Sequence, residues 1–508
     1  MGKRIVVVNA GLTETRVAVL ESNVLVELYL ERHRQRSIVG SVYKGTVTNV
    51  LPGMQAAFVD IGLAKDAFLY AGDYTANLGE YVREMLASEG EPDADVDVDE
   101  EPPRREPTTP IEELLRKGQD VLVQVSKESL GTKGARVTSF ISLPGRYLVY
   151  MPQTSHIGVS RRIRDERERD RLRSVLRELN PPPGGFILRT NAEGKGAEEF
   201  AADLAFLGRL WAQINGRHEQ SRAPAVLHQE MDLTFRVLRD LMSTDVEEFV
   251  VDDPDVYAKS VSDVQALVPG LADRVKRYEG RVPIFETYGI EREIEKALRR
   301  RVWLKSGGYI VIDHTEALVS IDVNTGKYVG KRDFEQTVLK INLEAVNEVV
   351  RQIRLRDLGG IIIIDFIDME RPEHRAEVEK ALKKALADDK ARTNVLDISE
   401  LGLVEMTRKR VRQDLRSLLS TACPTCKGSG VIRSDATLTA EILRAIQARL
   451  ATQPGREIVV RAHPELVHYL ENDGKDVLRQ LGTSLDVKIT VQTQGGHPQR
   501  EDYEIQVR

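Results

Sequence analysis

Cysteine is almost missing from this chain: Cys423 and Cys426, within TACPTCKGSG (421–430), are the only two among 508 residues. Two thiols so close together cannot build a disulfide framework, which fits a reducing, cytoplasmic setting. Aromatic residues are scarce too, at 5%, with two tryptophans. Long apolar runs are absent, so no segment is expected to span a membrane. The amino-terminal MGKRIVVVNAGL is broken by Asn9 before a secretory core can form, and Val6 stands where a myristoylation signal needs Ser or Thr. Secreted disulfide scaffolds and membrane spans are thereby excluded. What is present is ordinary globular composition, 41% hydrophobic and 30% charged, over a length that calls for several domains.

The net charge of −6 is unevenly spread. Residues 75–110 hold 11 acidic and 3 basic side chains, a net of −8, so the rest of the chain carries +2. Basic runs stand at 161–173 (RRIRDERERDRLR), 299–301, 351–356 and 408–416. Such clusters can neutralise phosphates, and they equally suit solvated helix faces laced with ion pairs.

Residues 3–30 read as three short strands (RIVVVNA, TRVAVLE, VLVELYL), too small to stand alone and in need of a later partner. From 38 to 139, Gly-punctuated β-rich runs suggest a small barrel, interrupted by an acidic, proline-rich insertion at 75–110 that reads as disordered. Residues 140–234 carry a strand, a charged helix, a Pro-Pro-Pro-Gly-Gly break and FILRTNAEGKGAEEF. Lys195 there is followed by Gly196, which rejects a phosphate-binding P-loop. After the cysteines, 436–508 reads as helix, strand, helix and two strands, a small α/β module.

The chemistry concentrates in 309–370. ALVSIDVNTG (317–326) is an apolar strand on which Asp322 and Asn324 share a face. A long helix follows, with Phe334, Val338, Ile341, Ala345, Val349 and Ile353 as its expected buried stripe. IIIIDFIDM (361–369) then reads as a strand buried on both faces. Strand–helix–strand makes the two strands parallel and delivers Asp322 and Asp365 to one carboxyl-terminal edge, where open α/β sheets place their sites. Two such carboxylates repel unless a proton or cation intervenes, and hard oxygens favour Mg²⁺ or Mn²⁺. A metal-activated water attacking a phosphodiester is the natural chemistry. An Asp ending a strand can instead cap the next helix, the reading preferred for Asp368.

IDVNTGKYVG (321–330), NLEAVNEVVRQIRLRDLGGIIIIDFIDM (342–369), GLVEMTRKR (402–410) and CPTCKGSG (423–430) together resemble the ribonuclease E/G family. Within it, the Asn-Thr-Gly after Asp322, the EMTRKR run and the lack of a long carboxyl-terminal scaffold resemble the G branch. The resemblance implies a multidomain α/β protein that cuts single-stranded, AU-rich RNA to 5′-phosphate and 3′-hydroxyl ends in rRNA processing and mRNA decay. A DNase I-like catalytic domain would span 298–419, with Asp322 and Asp365 holding one catalytic Mg²⁺ and Asn324 at the same site. Residues 1–37 plus 235–297 would form an RNase H-like subdomain, and 38–139 an OB-fold barrel contacting RNA through Phe58, Phe68 and Lys133. Residues 140–234 would sense a 5′-monophosphate through Arg189 and Thr190, with Gly145 and Val149 in the pocket wall and Arg392 assisting. The zinc link, 420–433, would donate Cys423 and Cys426 to one Zn²⁺ shared between two chains, ahead of a small domain at 434–508. That makes a homodimer, with a homotetramer left open.

Two other readings stand beside this one. A dithiol oxidoreductase would use Cys423 and Cys426, but Gly428-Ser429-Gly430 follows where a helix should begin. A non-catalytic RNA-binding scaffold would share the barrel and basic clusters but has no need of both aspartates.

Overall fold

Valine-rich runs at Arg4–Ala10, Glu14–Glu21 and Val24–Arg32 form the expected antiparallel meander. Its missing partner lies far along the chain. Arg4–Ala10 pairs in parallel with Val246–Val251, which pairs in parallel with Val275–Arg277. The helices Leu233–Leu241 and Pro254–Leu267 close this sheet, packing Leu233, Val237 and Val264 on Val6, Val8 and Phe249. The computed structural model describes residues 3–74, 109–128, 134–160, 162–326, 334–387, 389–399, 401–410, 412–493 and 500–508. Lys133 and nearly all of the 75–110 insertion lie outside the described residues.

Between the two halves of that sheet comes a closed five-stranded barrel. Val42–Leu51, Ala56–Asp60, Ala67–Tyr70, Arg136–Thr138 and Asp120–Lys127 run around it, and the last closes on the first. Gly45 permits the closure: a Cβ there would sit 2.6 Å from Val59 Cγ1 and 2.8 Å from the Asp60 carbonyl oxygen. A four-stranded sheet follows, ordered Ile157–Val159, Gly185–Leu188, Leu148–Met151 and Leu143–Pro144, with helices Glu166–Glu178 and Ala197–Gln220 packed on it.

The six-stranded sheet of 301–408 holds the parallel pair that the sequence pointed to. Its order is Arg301–Trp303, Tyr309–His314, Leu318–Asn324, Gly360–Asp365, Leu403–Arg408, Thr393–Val395, and only the central two are parallel. The crossover helix, Phe334–Arg356, buries Val338, Ile341, Ala345, Val349 and Ile353 against Ile321, Ile362 and Ile364. Phe334 departs from the expected stripe: it begins the helix and is exposed. Nor is the isoleucine strand covered on both faces. Ile362 and Ile364 are buried, whereas Ile361 is exposed and Ile363 half-buried, because both packed helices lie on one side. The opposite face is open and carries the aspartates.

Met1–Arg416 and Ser417–Arg508 are separate compact units. In the second, a three-stranded sheet puts Glu457–Ala462 between Lys488–Thr493, in parallel, and Tyr503–Val507, antiparallel. Two helices, Pro464–Asn472 and Lys475–Leu485, link its first two strands, one more than expected. A break at Asp473-Gly474 divides what reads as one continuous pattern. Among the described residues no helix is long and apolar enough to cross a membrane.

Candidate active site

Register places the two aspartates side by side. Ile321 faces Ile364, and Asp322 faces Asp365, at the carboxyl ends of the parallel pair. Both side chains project from the open face, since Ile321, Val323 and Ile364 occupy the buried one. Asn324, two residues on, donates from Nδ2 to Asp322 Oδ2 at 2.8 Å. These residues line a cleft of about 510 Å³ with Thr325, Asp368, Leu401 and Leu403.

Asp368 is not a helix cap. The following helix, Pro372–Leu386, has Arg371 at its cap position with no side-chain cap bond. Asp368 instead turns into the cleft, where its charge reaches Asp365. Partial burial and the neighbouring Asp322 and Asp368 carboxylates push the Asp365 carboxyl above its ordinary value. Among the described residues no lysine or arginine forms an ion pair with any of the three. Three carboxylates around an open cleft suit a hard divalent cation that keeps much of its water. They do not form a ready-made cage: among the described residues no three metal-binding side chains converge tightly enough for one.

Asn342 is the supporting residue that sequence reasoning missed. Fully buried in the crossover helix, it donates to the Ile367 carbonyl at 2.8 Å and accepts from the Ile367 amide at 3.1 Å. That clamp holds the backbone between Asp365 and Asp368. The available signal was an Asn beside Ile341, at helical spacing from the apolar Val338, Ala345 and Val349.

On the barrel, Phe58 and Phe68 face each other across adjacent strands with ring centroids 6.1 Å apart, edge to face. Their neighbours Ala57, Val59, Ala67 and Leu69 fill the barrel core, so the two rings lie on its outer surface. Further on, Arg189 Nη1 donates to the Gly145 carbonyl at 2.7 Å and to Asp240 Oδ1 at 2.8 Å. Although burial opposes it, Arg189 and Arg239 hold the Asp240 carboxyl down to about 2. Thr190 Oγ1 lies 3.1 Å from Ser160 Oγ. Gly145 is required sterically, because a Cβ would meet both Asp203 carboxylate oxygens within 2.7 Å. Val149 is buried with Met151 and Ile187, as part of the sheet's packing and not an open wall. Arg392 is half-buried, and its carbonyl accepts from Lys409 N at 2.8 Å.

In the second unit, Cys423 and Cys426 occupy a tight turn in which Lys427 and Gly428 take positive φ. The Cys426 and Thr425 amides point at the Cys423 sulfur and lower its pKa. Amides converging on a thiolate prepare it to bind a metal.

The Ribonuclease E/G family model matches residues 142–411, and a model described as the RNase E/G thioredoxin-like domain matches 422–508, so the chain belongs to the ribonuclease E/G family. It is 43% identical to ribonuclease G of Escherichia coli K12 over 485 residues, 96% of each chain. It is 42% identical to ribonuclease G of Haemophilus influenzae over 494 residues, 97% of each. Against ribonuclease E of Escherichia coli K12 the identity is 37%, over 95% of this chain and 44% of that longer one. Cys426 lies well ahead of the first helix, Asp435–Thr452, not at its start where a redox dithiol belongs.

Proposed function

We propose that this chain is an endoribonuclease of RNA processing that hydrolyses single-stranded, AU-rich RNA to 5′-phosphate and 3′-hydroxyl ends. One observation carries the reading: Asp322 and Asp365 stand in register at the carboxyl ends of two parallel strands. Mg²⁺ would be held by these two side chains, and when bound it supplies Lewis-acid activation of water and phosphate. The chain's own residues do the rest. Asn324 orients Asp322 through its amide. Asn342 fixes the turn that presents Asp365 and Asp368.

The closed barrel is read as an OB-fold over 38–139, with Phe58 and Phe68 as stacking surfaces for unpaired bases. Residues 298–419 are read as the DNase I-like domain, and 1–37 with 235–297 as the RNase H-like subdomain. Arg189 and Thr190 are read as the 5′-monophosphate sensor, a guanidinium fork beside a hydroxyl. The Cys423–Cys426 turn is read as half of a zinc site shared by two chains in a homodimer. Activity in rRNA processing and mRNA decay follows from this reading.

The test is cleavage of a short AU-rich RNA in Mg²⁺. Asp322→Asn and Asp365→Asn should each lose activity by on the order of 10²-fold or more. Cutting at the parent rate would remove the site. A 5′-monophosphate RNA should be cut faster than its 5′-hydroxyl twin, and Arg189→Ala should equalise the two.

A further inference from the structure

Trp303 is 62% exposed at the end of an edge strand, an unusual place for so large an apolar ring. It is not core: Val302, Ile310 and Ile312 fill the buried side of these strands. Trp303 pairs across the sheet with Tyr309, which pairs with Asn324. One step along, Arg301 pairs with Val311, which pairs with Asp322. Trp303, Tyr309 and Arg301 therefore share the open face with the aspartates: the strand of Arg301 and Trp303 lies two spacings, about 10 Å, from that of Asp322 and three, about 14 Å, from that of Asp365. The Trp303 and Tyr309 ring centroids are 5.3 Å apart, edge to face. The Arg301 guanidinium lies 4.5 Å from the Tyr309 centroid and 5.8 Å from that of Trp303.

An exposed indole braced by a second ring, with a guanidinium beside it, matches what a nucleotide offers: a flat base and a phosphate. Every base has a π-face, so such a platform grips RNA without reading sequence. We propose that Trp303, braced by Tyr309 and Arg301, stacks a base of the RNA near the scissile phosphate. The proposal rests on the ribonuclease reading and adds a substrate-positioning surface to it.

The chain has two tryptophans, so Trp211→Phe leaves Trp303 as the sole indole reporter. With Asp322→Asn and Asp365→Asn added to prevent cleavage, a short single-stranded RNA is titrated in. Binding is read independently by anisotropy of a labelled copy. Indole quenching should saturate together with the anisotropy. Trp303→Ala should weaken binding about tenfold, and in the active enzyme should raise KM far more than it lowers kcat; Trp303→Phe should retain most of the binding. RNA bound and cleaved while Trp303 fluorescence stays silent and Trp303→Ala binds like its parent would overturn the platform alone. Indole emission that changes with protein concentration, and not with RNA, would overturn it in favour of a second copy covering this face. Failure to bind RNA at all would overturn both this and the ribonuclease reading.

Discussion

At Asp365, burial and two neighbouring carboxylates all act against ionisation. A folded-state pKa above the unfolded value means that the ionised carboxylate detracts from stability once pH passes the ordinary aspartate range. Asp365→Asn should therefore melt slightly higher than its parent in EDTA, while losing activity. Mg²⁺ should raise the melting temperature of the parent protein and leave that of the doubly substituted Asp322→Asn, Asp365→Asn protein unmoved. An equal Mg²⁺ response in both would show that the ion binds elsewhere. Asp322 and Asp365 were legible from sequence because alternation and a βαβ pattern are local rules. Asp368 was not, because its direction depends on a turn clamped by Asn342 from another element.

Among the elements, the crossover helix and the Leu403–Arg408 strand fix the geometry of the six-stranded sheet that carries the aspartates. Asn342→Leu removes both partners of the Ile367 backbone and should cost about 2–4 kcal/mol in denaturant unfolding. It should also lower kcat by more than it raises KM, since the turn carrying Asp368 loses its anchor. Arg408 is buried between Asp389, 2.7 Å from Nε, and Asp357, 2.6 Å from Nη1. Arg408→Met leaves two buried carboxylates short of a partner and should cost about 3–5 kcal/mol, read from the same unfolding curves. Arg412 also bonds Asp357, so the loss should fall mainly on Asp389, and Asp389→Asn in the Arg408→Met background should recover part of it. Element positions were largely legible from periodicity. The errors fall where context outweighs pattern. Phe334 fits a buried stripe yet stands at the helix start, and Ile361 belongs to an apolar run whose outer face the described residues leave exposed.

At the scale of the whole molecule, charge ties the amino-terminal sheet to the elements around the six-stranded one. Arg354 of the crossover helix donates to Glu27 and Glu21 at 2.9 Å each, and Lys390 reaches Glu27 at 3.2 Å. Burial opposes ionisation of Glu27, but Lys390 and Arg354 hold its carboxyl well below the usual range. Its contribution is therefore complete above the unfolded glutamate pKa of about 4.3 and fades as pH falls below that. The Glu27→Gln protein should be less stable than its parent at pH 7 and should show a flatter loss of melting temperature between pH 5 and 3. Removing zinc with a chelator should convert dimers to monomers by sedimentation, with one zinc released per two chains; zinc bound one per chain in monomers would refute the shared site. The parallel pairing of Arg4–Ala10 with Val246–Val251 has a consequence of another kind, in time. The first strand is made about 240 residues before its neighbour, a wait of roughly 10–50 s at ordinary elongation rates. Throughout that wait one hydrogen-bonding edge of a valine-rich ribbon is bare, so nascent chains halted before residue 246 should be the form most dependent on chaperones.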